Sequence, residues 1–165
     1  MINDKSGKIF IYIALVLLVF ALDRASKIII LNILENVGKV DVYVNSFLSL
    51  YLVWNQGIGF GLFSFDQSHI YNGITLFIFF INLIILYLIY IENTPKTYFL
   101  AIILGVSCGI LFDRYYYNAV PDFIDLSYKS YHWFIFNVAD IFITIGIICL
   151  ILTEILNYKK YNDKK

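Results

Sequence analysis

Residues 70–91 read IYNGITLFIFFINLIILYLIYI, an apolar run without one charged side chain. At about 1.5 Å of rise per residue such a run makes a helix of roughly 30 Å, the thickness of a bilayer's hydrocarbon core. A helix that is apolar all round lies in the core of a large protein or in lipid, and a chain of 165 residues is not large. Outward from this stretch, three more windows of the same kind lie at about Ile9–Leu31, Tyr98–Tyr117 and Val138–Leu156. The expectation is an all-α integral membrane protein, one domain over residues 1–165. Its four transmembrane helices are expected at about 9–31, 70–91, 98–117 and 138–156, with extracytoplasmic loops at about 32–69 and 118–137.

Composition agrees. The chain is 61% hydrophobic and 15% charged, against ordinary usage of about 45–50% and about 25%, and its mean hydropathy is +0.78. The formal net charge is zero, so the basic face or stripe that a nucleic-acid partner requires is absent. Lys5 and Lys8 ahead of an apolar run also describe a secretory signal peptide. However, no small-x-small cleavage site follows Leu22, and the run resumes after Lys27 as Ile28-Ile29-Ile30-Leu31. The first window is therefore expected to be a retained span.

Cytoplasmic segments of membrane proteins keep Lys and Arg. Lys5, Lys8, Lys96, Lys159, Lys160, Lys164 and Lys165 fall on one side of the four windows, so both termini are expected in the cytoplasm. Arg24, Lys27, Lys39, Arg114 and Lys129 fall on the other side, in or beside the two longer loops. Cys108 and Cys149 lie inside spans as soft apolar side chains. His69 and His132 are remote from each other and from any Cys pair, so no disulfide framework, metal or cofactor is expected. A monomer surrounded by membrane lipid is the expected state.

In the first long loop, Val40-Asp41-Val42-Tyr43-Val44 alternates with period two and Phe47–Trp54 is rich in aromatic and branched residues, as short strands are. A small extracytoplasmic β-sheet on the membrane surface follows. The glycines of Asn55-Gln56-Gly57-Ile58-Gly59-Phe60-Gly61 have no βαβ unit around them, which a phosphate loop needs. Close backbone approach to a ligand suits them better.

Ionisable residues in or beside spans are costly and mark function by default. Here they are Asp23, Lys27, Asp113, Arg114, Asp122, Asp125 and Asp140, all toward the outer face. Asp23 and Lys27 are four apart, the spacing of a helical ion pair. Ser26 and Lys27 as nucleophile and base would be a serine-peptidase alternative, but adjacent helix residues point in different directions. Gly105, Gly109 and Asp113 share a helix face that can approach another helix closely, with Arg114 available to balance Asp113. Asn137-Val138-Ala139-Asp140 reads as a capped helix start. Two carboxylates sharing a site cannot both ionise easily, so one holds a proton. Such a pair can activate water against a peptide carbonyl, but spacing does not say which two of Asp113, Asp122, Asp125 and Asp140 would form it. A non-enzymatic transporter or scaffold with structural acids is the alternative from another class.

Five stretches, in order along the chain, resemble the lipoprotein (type II) signal peptidase family. Asp23-Arg24-Ala25-Ser26-Lys27 is similar to Asp-Gln-x-Ser/Thr-Lys, and Asn55-Gln56-Gly57-Ile58-Gly59-Phe60 to Asn-x-Gly-Ala-Ala-Phe. Gly109-Ile110-Leu111-Phe112-Asp113-Arg114 is similar to Gly-Asn-x-x-Asp-Arg. Val120-Pro121-Asp122-Phe123-Ile124 resembles Val-Val-Asp-Phe-Ile, and Phe136-Asn137-Val138-Ala139-Asp140 resembles Phe-Asn-Ile-Ala-Asp. The resemblance implies catalytic aspartates at Asp122 and Asp140. It implies Asn55, Arg114 and Asn137 lining the site, and Asp23, Lys27, Gly57, Gly109 and Asp113 in support. It also implies an intramembrane aspartyl endopeptidase of the bacterial cytoplasmic membrane. The implied substrate is a diacylglyceryl-modified prolipoprotein, cut on the N-terminal side of the lipidated Cys near the outer face. The chain departs from the pattern at Arg24 (usually Gln), Ile58 and Gly59 (Ala-Ala), Ile110 (Asn) and Phe134 (often Pro).

Overall fold

A computed structural model of the chain describes residues 4–57, 68–92, 94–128 and 131–162; Ile58, Gly59, Phe60 and Lys129 lie outside them. Helix α1 spans Asp4–Val37, α2 Ser68–Ile91, α3 Lys96–Tyr116 and α4 Val138–Asn162. Each contains a stretch long and apolar enough to cross a membrane. Because lipid cannot hydrogen-bond the backbone, the helix is the form that these runs must take there. α3 is the central element, with half of its apolar window buried against the other helices, whereas only 6% of that of α2 is buried.

The close packing of α1 on α3 follows from the glycine face. A Cβ at Gly105 would stand 2.6 Å from the backbone oxygen of Val16, and one at Gly109 would strike the Asp23 carboxylate. α1 runs on to Val37, past Leu31, where its apolar window was expected to end, so the Asp23–Lys27 stretch lies well inside the helix and not at its end. The added turns have a partner: Ile30, with Ile33 and Leu34, packs against Val40, Phe123 and Leu50. Gly38 ends α1 at φ +79°, and its N–H bonds the Leu34 carbonyl at 2.8 Å, as a left-handed C-terminal glycine does.

Four strands follow one another in an antiparallel meander, β1 (Asp41–Asn45), β2 (Leu48–Asn55), β3 (Val120–Tyr128) and β4 (Tyr131–Phe136). The first hairpin turns where the Asn45 side chain accepts the Phe47 N–H at 2.8 Å. β3 and β4 occupy residues expected to be loop. β3 hides its nature because Pro121 and two aspartates interrupt its apolar residues, and because it is buried on both faces, so no alternation survives. Its register sets Asp122 opposite Val53 and Val120 opposite Asn55.

Candidate active site

The site forms where the sheet meets the bundle. β3 carries Asp122, only 2% exposed, and both of its oxygens are held by amides. Oδ2 accepts from Asn55 Nδ2 at 2.8 Å, and Oδ1 accepts from Asn137 Nδ2 at 2.5 Å. Burial pushes the Asp122 carboxyl up to about 6 from the ordinary 3.8; the two amides pull it down, and the negative charge of Asp140 adds to the rise.

Asn137 is the hinge between the two acids. Its side-chain oxygen caps α4 by accepting the N–H groups of Ala139 at 2.7 Å and Asp140 at 3.3 Å. Asp140 Oδ2 reaches back to accept the Asn137 N–H at 3.0 Å. This is a reciprocal capping box, so the capping expected at this helix start and the gathering of two carboxylates are one arrangement. One amide side chain thus binds Asp122 and caps the helix turn that carries Asp140.

Asn55 ends β2, and its Oδ1 accepts the Gly57 N–H at 2.8 Å. This turn is anchored by Arg114, which does not balance Asp113, as its sequence position suggested. Its guanidinium instead donates to the Gly57 carbonyl at 2.7 Å, to Thr75 Oγ1 at 2.8 Å, and to the Gln56 and Tyr71 carbonyls at 3.3 Å. It also lies over the Tyr71 ring, 4.2 Å from the centroid. Asp113 is held by Lys27 Nζ at 2.6 Å and by Arg24 NH1 at 2.5 Å. Thr75, Tyr71 and the role of Arg24 were not anticipated; the i, i+4 spacing of Tyr71 and Thr75 was the available signal.

Asn55, Gly57, Arg114, Asp122, Asn137 and Asp140 line a cavity of about 450 Å³. Below them its wall is apolar, largely the isoleucines of α2, α3 and α4, with Ile110 among them. Asp125 is not among the lining residues; three positions along a strand from Asp122, it points to the opposite face of the sheet. Asp23, Lys27, Gly109 and Asp113 lie behind the site at the α1–α3 contact. Ser26 Oγ donates to the Asp23 carbonyl at 2.8 Å, while Lys27 Nζ is engaged by carboxylates, so they do not form a nucleophile and base. Among the described residues, no three of His, Cys, Asp and Glu gather as metal ligands.

Fold and site together define a polytopic membrane protein with paired, amide-held carboxylates at one end of its bundle. The family model for signal peptidase (SPase) II matches residues 15–156. The lipoprotein signal peptidase of Pelagibacter ubique (strain HTCC1062) is 49% identical over 156 residues, covering 94% of each chain. That of Aquifex aeolicus (strain VF5) is 37% identical over 145 residues, 87% of this chain and 84% of its own. A solved structure described as a bacterial membrane enzyme superposes with TM-score 0.69 at 28% identity, over 95% of this chain and 93% of that one. The chain belongs to the signal peptidase II family. It is accordingly an aspartic peptidase of a bacterial membrane, and the transporter or scaffold alternative is not favoured.

Proposed function

We propose that the chain removes the signal peptide from diacylglyceryl-modified prolipoproteins, cutting on the N-terminal side of the lipidated Cys with Asp122 and Asp140 as the catalytic pair. The observation that carries this reading is the Asn137 bridge, which ties both carboxylates to the mouth of one apolar cavity. The pair shares one proton, titrating jointly. Its ionised member takes a proton from water as the water attacks the scissile carbonyl; the protonated member donates to the developing oxyanion. Collapse of the tetrahedral intermediate breaks the C–N bond, and the same proton store supplies the leaving amine. Asn55 and Asn137 hold the pair, and Arg114 holds the Asn55 turn. The apolar wall receives the lipid-bearing part of the substrate from the bilayer.

The sheet and the site lie at one end of the bundle, opposite Lys96, the start of α1 and the end of α4. With Lys5, Lys8, Lys159 and Lys160 in the helix ends on that far side, both termini are cytoplasmic and the site faces outward. The protein acts as a monomer among membrane lipids. The test is a cleavage assay with purified chain in lipid. A diacylglyceryl-modified precursor should yield free signal peptide and an N-terminal lipidated Cys, while the unmodified precursor stays uncut. Equal cleavage of both would refute the substrate assignment, and cleavage of neither would refute the activity.

A further inference from the structure

We propose that Arg24 is a positioning residue: its guanidinium closes a buried quartet of two acids and two cations with Asp23, Lys27 and Asp113 that fixes the end of α3. Asp23, Lys27 and Asp113 have no exposed side-chain surface, and Arg24 is 11% exposed. Lys27 Nζ lies 2.8 Å from Asp23 Oδ1 and 2.6 Å from Asp113 Oδ2. Arg24 lies 3.2 Å from Asp23 Oδ2 and 2.5 Å from Asp113 Oδ1. Every carboxylate oxygen therefore meets a cation, and each cation meets both acids. The Arg24 guanidinium also rests 5.0 Å from the Phe112 ring centroid, which keeps its charge at the α1–α3 contact.

With the usual Gln at this position the same pocket would hold two carboxylates against one ammonium. An uncompensated buried charge is strongly unfavourable, and like charges sharing a dry site relieve it by binding a proton. Arg24 supplies the second cation of the pocket. The consequence reaches the site because Asp113 directly precedes Arg114, whose hydrogen bonds hold the Asn55 turn. Among the described residues, Asp122 of β3 and Asp140 of α4 feel the Lys27 charge, and Tyr71 of α2 feels Asp113.

The test compares wild type, R24Q, R24K and R24Q/D113N, each as the full chain in lipid, from about pH 5.5 to about pH 8.5. The readouts are thermal stability and turnover of the diacylglyceryl-modified precursor, expressed relative to wild type so that the titration of the site acids cancels. R24Q should approach wild type at the acid end, where a bound proton replaces the guanidinium. It should lose about tenfold in turnover at the alkaline end, the effect of about one pK unit, with its Tm deficit growing in step. R24K keeps the charge, and R24Q/D113N restores neutrality, so both should show ratios independent of pH. A flat R24Q ratio, or R24K behaving like R24Q, would overturn the proposal. If R24Q is not recovered folded, better recovery of R24Q/D113N supports it and equal failure of both overturns it. The proposal rests on the peptidase reading only through the turnover readout. If wild type cleaves nothing, that reading fails while the Tm profiles still decide the role of Arg24.

Discussion

Replacing Asn137 by Ala separates a helix cap from a device that holds the acid pair. The cap alone is worth about 1 kcal/mol. The hydrogen bond from Nδ2 to the Asp122 carboxylate, at 2.5 Å in a buried setting, adds about 1.5–3 kcal/mol. N137A should therefore lose about 3 kcal/mol in all. N137S keeps an oxygen for the N–H of Ala139 but cannot reach Asp122, so it should recover about 1 kcal/mol and no more. Without its amide donor, Asp122 ionises less readily, so the acid limb of kcat/KM should move upward from about 6. Turnover should fall about tenfold or more as the pair loses its registration. The assay is unfolding in detergent followed by tryptophan fluorescence, together with a pH–rate profile. A loss of no more than the cap's share, with the acid limb unmoved, would show that Asn137 is only a cap.

Other outcomes follow from the same geometry. G105A should destabilise by about 1–3 kcal/mol, because its Cβ meets the fixed backbone of Val16; unchanged stability would contradict the close α1–α3 approach. G109A displaces an Asp23 carboxylate pinned by Lys27 and should reduce activity as well as stability, which paired unfolding and cleavage assays would check. Asn82 on α2 is 4% exposed, lies 4.0 Å from Cys108 Sγ, and its Oδ1 has no hydrogen-bond partner among the described residues. N82L should raise stability by roughly 1 kcal/mol, and a lower Tm would show that the amide holds the helices together. Asp122, raised from 3.8 to about 6, contributes stability fully below the lower value and loses it as pH rises through the upper one. D122N should remove that loss and flatten the slope of stability against pH between about 4 and about 6, while costing an acceptor for the Asn55 and Asn137 amides; an unchanged slope would contradict this.

The membrane helices were legible because hydropathy over some twenty residues overrides every local detail. The β1–β2 hairpin was legible because Val40–Val44 alternates with period two and Phe47–Trp54 is rich in aromatic and branched residues, although β1 is exposed throughout. β3 was not: burial on both faces, with Pro121, Asp122 and Asp125 in nine residues, removes the pattern by which a strand is read. The close α1–α3 contact was readable in the spacing of Gly105, Gly109 and Asp113. The partner of Asp113 was not, since Arg114 lies next to it in sequence while Arg24 reaches it across helices. Asp122 and Asp125 looked equivalent until the strand assignment set them on opposite faces.

The claim on which the rest depends is that Asp122 and Asp140 act together on one water molecule. Single-turnover cleavage of a diacylglyceryl-modified precursor by D122N and by D140N, with substrate affinity measured separately, addresses it most directly. Each variant should lose at least about 10²-fold in rate while binding substrate within a few-fold of wild type. Either variant cleaving at more than about a tenth of the wild-type rate, or losing rate only through weakened binding, would contradict it.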